Sequence, residues 1–147
     1  DKFGLNALQL HGNEKPSFCK GLMSYGYEVI KVFRIHQSFD IPTMNAYHDS
    51  CHLFLLDRAG KYKGGNGLKF NWDILPQYPL NKPYLLSGGV APEDGAYLRS
   101  INDQRLYGVD INSRFEVGKG IKNTLQMKQF VNTLTKNTEN GTKSLHS

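Results

Sequence analysis

The first residue in this chain placed to do chemistry is a carboxylate that closes an apolar run. Residues His52 to Asp57 read HLFLLD. Asp57 therefore sits where a buried strand meets solvent, the edge at which α/β barrels gather catalytic side chains. A loop rich in lysine and glycine follows, with Gly64, Gly65 and Gly67 among Lys61, Lys63 and Lys69. Such a loop permits positive φ and attracts anions, and Trp72 behind it would pin it to the body. Two further stretches have the make-up of an anion site. LLSGG sets Gly88 and Gly89 where backbone amides can approach a phosphate closely, and VDINSR carries Asp110, Ser113 and Arg114. His11 and Gln9 in QLHG end a first apolar run, where packing is the ordinary role and catalysis the alternative.

The elements that must position these residues alternate in type. Asn6 to Leu10 reads as a strand and Lys15 to Tyr25 as a helix, with Phe18, Cys19, Leu22 and Met23 on one face. Glu28 to Ile35 is rich in β-branched residues, and Ile41 to His48 forms the next helix with Pro42 in its first turn. His52 to Asp57 is the third strand. Asn71 can cap a short helix through Leu75 that Pro76 and Pro79 stop. Pro83 to Ser87 is the fourth strand, and Pro92 opens a helix with Glu93 and Asp94 in its first turn. Leu106 to Asn112 is the fifth strand. Ile121 to Leu134 is a last helix whose apolar face is Ile121, Leu125, Phe130, Val131 and Leu134.

The five strands start 22, 24, 31 and 23 residues apart, which is the rhythm of βα repeats. A doubly wound sheet and the last five units of an eight-stranded barrel both fit that rhythm. The barrel is favoured because the glycine-rich turns follow the third and fourth strands rather than the first, and barrels often place phosphate after their last two strands. Residues 1–135 are expected to form this partial α/β barrel, with 136–147 as a polar tail.

Composition narrows the classes. The 147 residues suit one domain, with 39% hydrophobic and 21% charged. The net charge of +5 is dispersed, with no basic run and no nucleic-acid-binding signature, so nucleic acid is not an expected partner. The longest clean apolar run, Leu53 to Leu56, is far short of the roughly 18 residues of a membrane span. Cys19 and Cys51 lack metal-ligand spacing, which points to a reduced cytoplasmic setting with neither metal nor disulfide. The chain starts DKFGL, without an initiator Met or leader, as an internal start would.

QLHG, LLD followed by GGNGLKFNW, LSGGVAPED and VDINSRFE occur in this order and at these distances. Together they resemble phosphoribosylanthranilate isomerase, a TIM barrel of tryptophan biosynthesis, from Leu8 to about Phe130. The resemblance implies an aldose–ketose (Amadori) isomerisation of N-(5′-phosphoribosyl)anthranilate, with no cofactor. It implies Asp57 as general acid and Asp110 facing the substrate. Gly88, Gly89, Ser113 and Arg114 would lie around the phosphate, Gly65 and Gly67 in the active-site loop, and His11 at the catalytic rim.

The same resemblance places the general-base cysteine, and an arginine for the anthranilate carboxylate, upstream of Asp1, so this segment alone is expected to be inactive. Cys19 and Cys51 are expected as core thiols rather than as the base. The pattern departs at Arg114, which occupies a glycine position. A side chain there either strains a positive-φ amide nest or adds a guanidinium to the phosphate. Lys122-Asn123 stands for a common Lys-Asp, which an Asn cap can tolerate. Other phosphosugar barrel enzymes, or a non-catalytic phosphate-binding fragment completed by a second polypeptide, are the alternatives. Oligomeric state stays open.

Overall fold

The computed structural model describes residues 3–59 and 71–135. Gly65, Gly67 and the lysines of their loop, and the polar tail from 136 to 147, lie outside the described residues. The elements run β1 (Ala7–Leu10), α1 (Pro16–Ser24), β2 (Glu28–Ile35), α2 (Ile41–Ala46), β3 (Leu53–Arg58), a 3₁₀ helix (Trp72–Gln77) and β4 (Tyr84–Leu86). A 3₁₀ turn (Pro92–Asp94) leads into α3 (Gly95–Ser100), then β5 (Leu106–Val109), a 3₁₀ turn (Ser113–Phe115), β6 (Glu116–Gly118), β7 (Ile121–Lys122) and α4 (Thr124–Thr135).

Strands β1 to β5 form one parallel sheet whose spatial order is their chain order, and β6 pairs antiparallel with β7 in a separate hairpin. The sheet has no reversal of strand order, so it lacks the switch point that defines a doubly wound fold. Its two faces differ sharply. Val29, Phe33 and Ile35 of β2, Phe54 and Leu56 of β3, and Tyr84 and Leu86 of β4 meet Cys19, Met44, Leu98 and Phe130 from the four helices in one core. The alternate residues, Ile30, Val32 and Arg34 or Leu53, Leu55 and Asp57, project from the other face. A strand covered on one face only alternates in exposure, as β2 does.

Several local expectations meet the structure with changes. Asn71 does cap, accepting from the Asp73 amide at 3.0 Å, but Pro76 lies inside the 3₁₀ helix rather than ending it. Trp72 is buried; the loop it was expected to pin lies outside the described residues. In α1, Phe18 is exposed while Cys19 enters the core. The last helix begins at Thr124, because Ile121 and Lys122 belong to the hairpin. There, Lys122 Nζ lies 2.6 Å from Glu116 Oε1, and the Gly120 amide donates to Glu116 Oε2 at 3.1 Å. Asn123 then caps α4 by accepting from the Gln126 amide at 3.1 Å. The expected apolar face of α4 is correspondingly rotated. Phe130 is buried and Met127 and Leu134 pack on the core, but Ile121, Leu125 and Val131 are exposed.

Candidate active site

In a parallel sheet with sequential order, the carboxyl ends of all strands lie along one edge, and that edge gathers the candidate residues. Asp57 is the fifth residue of β3. Its Oδ1 accepts from the backbone amide of Arg58 at 2.8 Å, which holds the carboxylate at the rim. Burial raises the Asp57 carboxyl above its ordinary value. The Arg58 amide opposes that rise, the Asp110 carboxylate adds to it and Arg34 opposes it. A carboxyl raised this way favours the protonated form that a general acid needs.

The neighbouring strand ends close around it. Ser87, at the end of β4, donates its amide to Leu56 O at 2.9 Å and its hydroxyl to Asp110 Oδ2 at 3.0 Å. Asp110 is tied to the same strand through its amide, 2.8 Å from Leu86 O. Gly88 and Gly89 follow with φ of 82° and 81°, a conformation that L side chains rarely adopt. At Gly88 there is also no room. A Cβ there would lie 2.7 Å from the Arg58 amide nitrogen and 2.8 Å from Asp57 Oδ1. The glycine turn and the candidate acid are thus packed directly on each other. Beyond the turn, Asp94 accepts from the Ala91 amide at 2.7 Å and fixes the far end of the loop.

The segment after β5 is less helical than its sequence suggests. Ser113–Phe115 is a single 3₁₀ turn, closed by the Phe115 amide donating to Asn112 O at 3.0 Å, and Phe115 anchors it in the core. Arg114 is exposed on this turn, and no non-glycine among the described residues has a positive φ, so the strain alternative for Arg114 falls away. His11 is exposed just past β1, at the same edge but two strands from Asp57. Its loop is held by a buried network: Lys31 Nζ donates to Gly12 O and to Glu14 Oε2, both at 2.8 Å, and Tyr47 Oη donates to Glu14 O at 2.8 Å.

Cys19 and Cys51 are both fully buried in the core, so neither reaches the Asp57 face. Burial raises both thiols, that of Cys51 to about 11. Two rim residues were not singled out in the sequence. Ser87 could have been found as the polar residue at the strand end in LLSGG. Arg34 is the register partner of Asp57, and its signal is parity: it is the penultimate residue of β2 as Asp57 is of β3.

The chain is similar to known proteins over most of its length. Residues 1–133 match the family model described as N-(5′-phosphoribosyl)anthranilate isomerase. The N-(5′-phosphoribosyl)anthranilate isomerase of Phocaeicola vulgatus is 40% identical over 133 residues, covering 90% of this chain and 65% of that protein. That of Parabacteroides distasonis is 39% identical, covering 88% and 58%. Among solved structures, the phosphoribosyl anthranilate isomerase of Thermus thermophilus superposes with a TM-score of 0.68 at 25% identity, over 88% of this chain and 60% of the other. Monomers generated from the dimeric enzyme of Thermotoga maritima give 0.67 at 27% identity, with the same coverage. The chain thus spans less than two thirds of the length of these relatives. With the match running from residue 1 to residue 133, the chain belongs to the N-(5′-phosphoribosyl)anthranilate isomerase family.

Proposed function

We propose that the protein carrying this chain isomerises N-(5′-phosphoribosyl)anthranilate to 1-(2-carboxyphenylamino)-1-deoxyribulose 5-phosphate, a cytoplasmic step of tryptophan biosynthesis. The observation that carries the reading is Asp57, a carboxyl raised by burial at the strand edge and packed against the Gly88 turn. Asp57 donates its proton to the furanose ring oxygen. The C1′–O bond breaks as the amine lone pair forms the C=N bond of the opened Schiff base. A base then removes the C2′ proton, and the resulting enolamine takes up a proton at C1′ as its C2′ hydroxyl gives up its proton, which leaves the ketone at C2′.

Asp110, oriented by Ser87, is assigned to the sugar hydroxyls or the bridging amine. The phosphate is assigned to the amides of Gly88 and Gly89, with Ser113 and the Arg114 guanidinium on its other side. Gly65 and Gly67 are assigned to the loop over the substrate, and His11 to the rim. The base for C2′ is assigned to neither Cys19 nor Cys51. Residues 1–135 are read as the last five βα units of a (β/α)₈ barrel and 136–147 as a tail. The sequential strand order supports the barrel reading. Among phosphosugar barrel chemistries, the family match favours this one.

The test is steady-state turnover of the phosphoribosylanthranilate substrate by the purified full-length protein, followed through loss of substrate fluorescence, with inorganic phosphate as competitor. Turnover inhibited by phosphate is the expected result. Absence of turnover in a folded, full-length protein would remove the proposal.

A further inference from the structure

The hairpin β6–β7 follows the turn to which part of the phosphate is assigned, and one side chain of the hairpin reaches back to both ends of that turn. Lys122, on β7, donates from Nζ to Asn112 Oδ1 and, at 2.6 Å, to Glu116 Oε1. Asn112 is the residue before the Ser113–Phe115 turn and Glu116 the residue after it. A single ammonium thus spans the turn. The backbone is held at the same two places: Asn112 O accepts from the Phe115 amide at 3.0 Å, and Phe115 O accepts from the amide of Asn123, next to Lys122, at 2.7 Å. The Phe115 ring meets Phe130 edge-on in the core, with centroids 4.9 Å apart. Ser113 and Arg114, between these anchors, are exposed.

The ammonium does more here than pair with a carboxylate. It has three donors, and one of them holds a neutral amide oxygen, which fixes the Asn112 side chain. Glu116 is fixed in turn by the Gly120 amide, which donates to its other oxygen at 3.1 Å. Lys122 therefore rests on a carboxylate already in place, and its second bond sets where Asn112 lies. Groups that bind an anion must be held to within about 0.5 Å by what supports them. A single 3₁₀ turn has no further helical turns behind it to supply that support. We propose that Lys122 is the positioning residue of the phosphate turn, acting through Asn112 rather than as a ligand of the phosphate. The role rests on the assignment of the phosphate to Ser113 and Arg114.

The experiment compares full-length wild type with Lys122→Met, Lys122→Arg, Asn112→Leu and the Lys122→Met, Asn112→Leu double variant. It reads kcat for the phosphoribosylanthranilate substrate and the inhibition constant of inorganic phosphate. Lys122→Met is expected to weaken phosphate about tenfold, the lower end of the scale for a lost hydrogen bond to a charged group, with kcat within about twofold. Asn112→Leu leaves the charge in place and is expected to give the same loss, and the double variant no more than either single one. Lys122→Arg is expected to recover part of it. A loss with Lys122→Met but none with Asn112→Leu means that the charge acts on the phosphate directly, and overturns the positioning role. An equal fall in kcat, or wild-type phosphate affinity in both single variants, overturns it too. Each of these results leaves the phosphate assignment standing, since the wild type is inhibited by phosphate. A wild type that turns over without inhibition by phosphate overturns both. Should Lys122→Met fail to fold, Asn112→Leu decides alone.

Discussion

At the scale of single residues, Asp57 and Gly88 are one unit, because the turn has room for the carboxyl only if residue 88 lacks a Cβ. Gly88→Ala meets both the positive φ and the 2.7 Å contact with the Arg58 amide. It should destabilise the fold by about 1–3 kcal/mol in urea titration and lower activity together with phosphate affinity. Asp57 itself carries a pH signature. Its folded pKa is raised, so the folded chain binds this proton more tightly than the unfolded one. Stability from this group is highest below the ordinary carboxylate range and falls as pH rises through the folded pKa. Asp57→Asn keeps an acceptor for the Arg58 amide and removes the buried charge. At pH 7 the variant should be more stable by about 1 kcal/mol, a common gain at strained sites, and the gain should vanish near about pH 3.5. An equal difference at both pH values would contradict this origin.

At the scale of elements, much of the βα alternation could be read from the chain, because Glu28–Ile35 and HLFLLD carry strong strand patterns and their ends fall where the rim needs them. What could not be read depends on contacts distant in sequence. Lys31 shares the core-facing parity of Val29 and Phe33, and a lysine can be 3% exposed there because Glu14, 17 residues earlier, pairs with it. The Lys31 ammonium holds the Glu14 carboxyl below its usual range, so this pair stabilises above the ordinary glutamate value and is lost as pH falls through the lowered pKa. Glu14→Ala strands a buried ammonium and should cost about 3–5 kcal/mol in urea titration. Lys31→Met, which removes the charge as well, should cost less. The start of α4 was misplaced for a similar reason, since the hairpin pairing of Gly118 with Ile121 and of Glu116 with Lys122 takes Ile121 out of the helical pattern.

At the scale of the whole molecule, the two edges of the sheet divide the work. The carboxyl edge gathers Arg34, Asp57, Ser87, Gly88 and Asp110, whereas the amino edge is clamped. Arg105 donates to Asp103 through Nε at 2.8 Å and Nη2 at 2.9 Å, and its Nη1 reaches Tyr78 O at 2.6 Å and Leu80 O at 3.2 Å. Lys82 Nζ donates to Cys51 O at 2.7 Å on the same side. Arg105→Met should therefore lower stability by about 1.5–3 kcal/mol while leaving kcat within about twofold, the division expected of a barrel.

The central claim is that the Asp57 carboxyl supplies the proton that opens the sugar ring. The most direct measurement is kcat for the phosphoribosylanthranilate substrate with wild-type and Asp57→Asn full-length protein, alongside the affinity of each for inorganic phosphate. The account predicts a fall in kcat of about 10²–10⁴-fold with phosphate affinity unchanged. A variant that keeps kcat within a few-fold of wild type would contradict it.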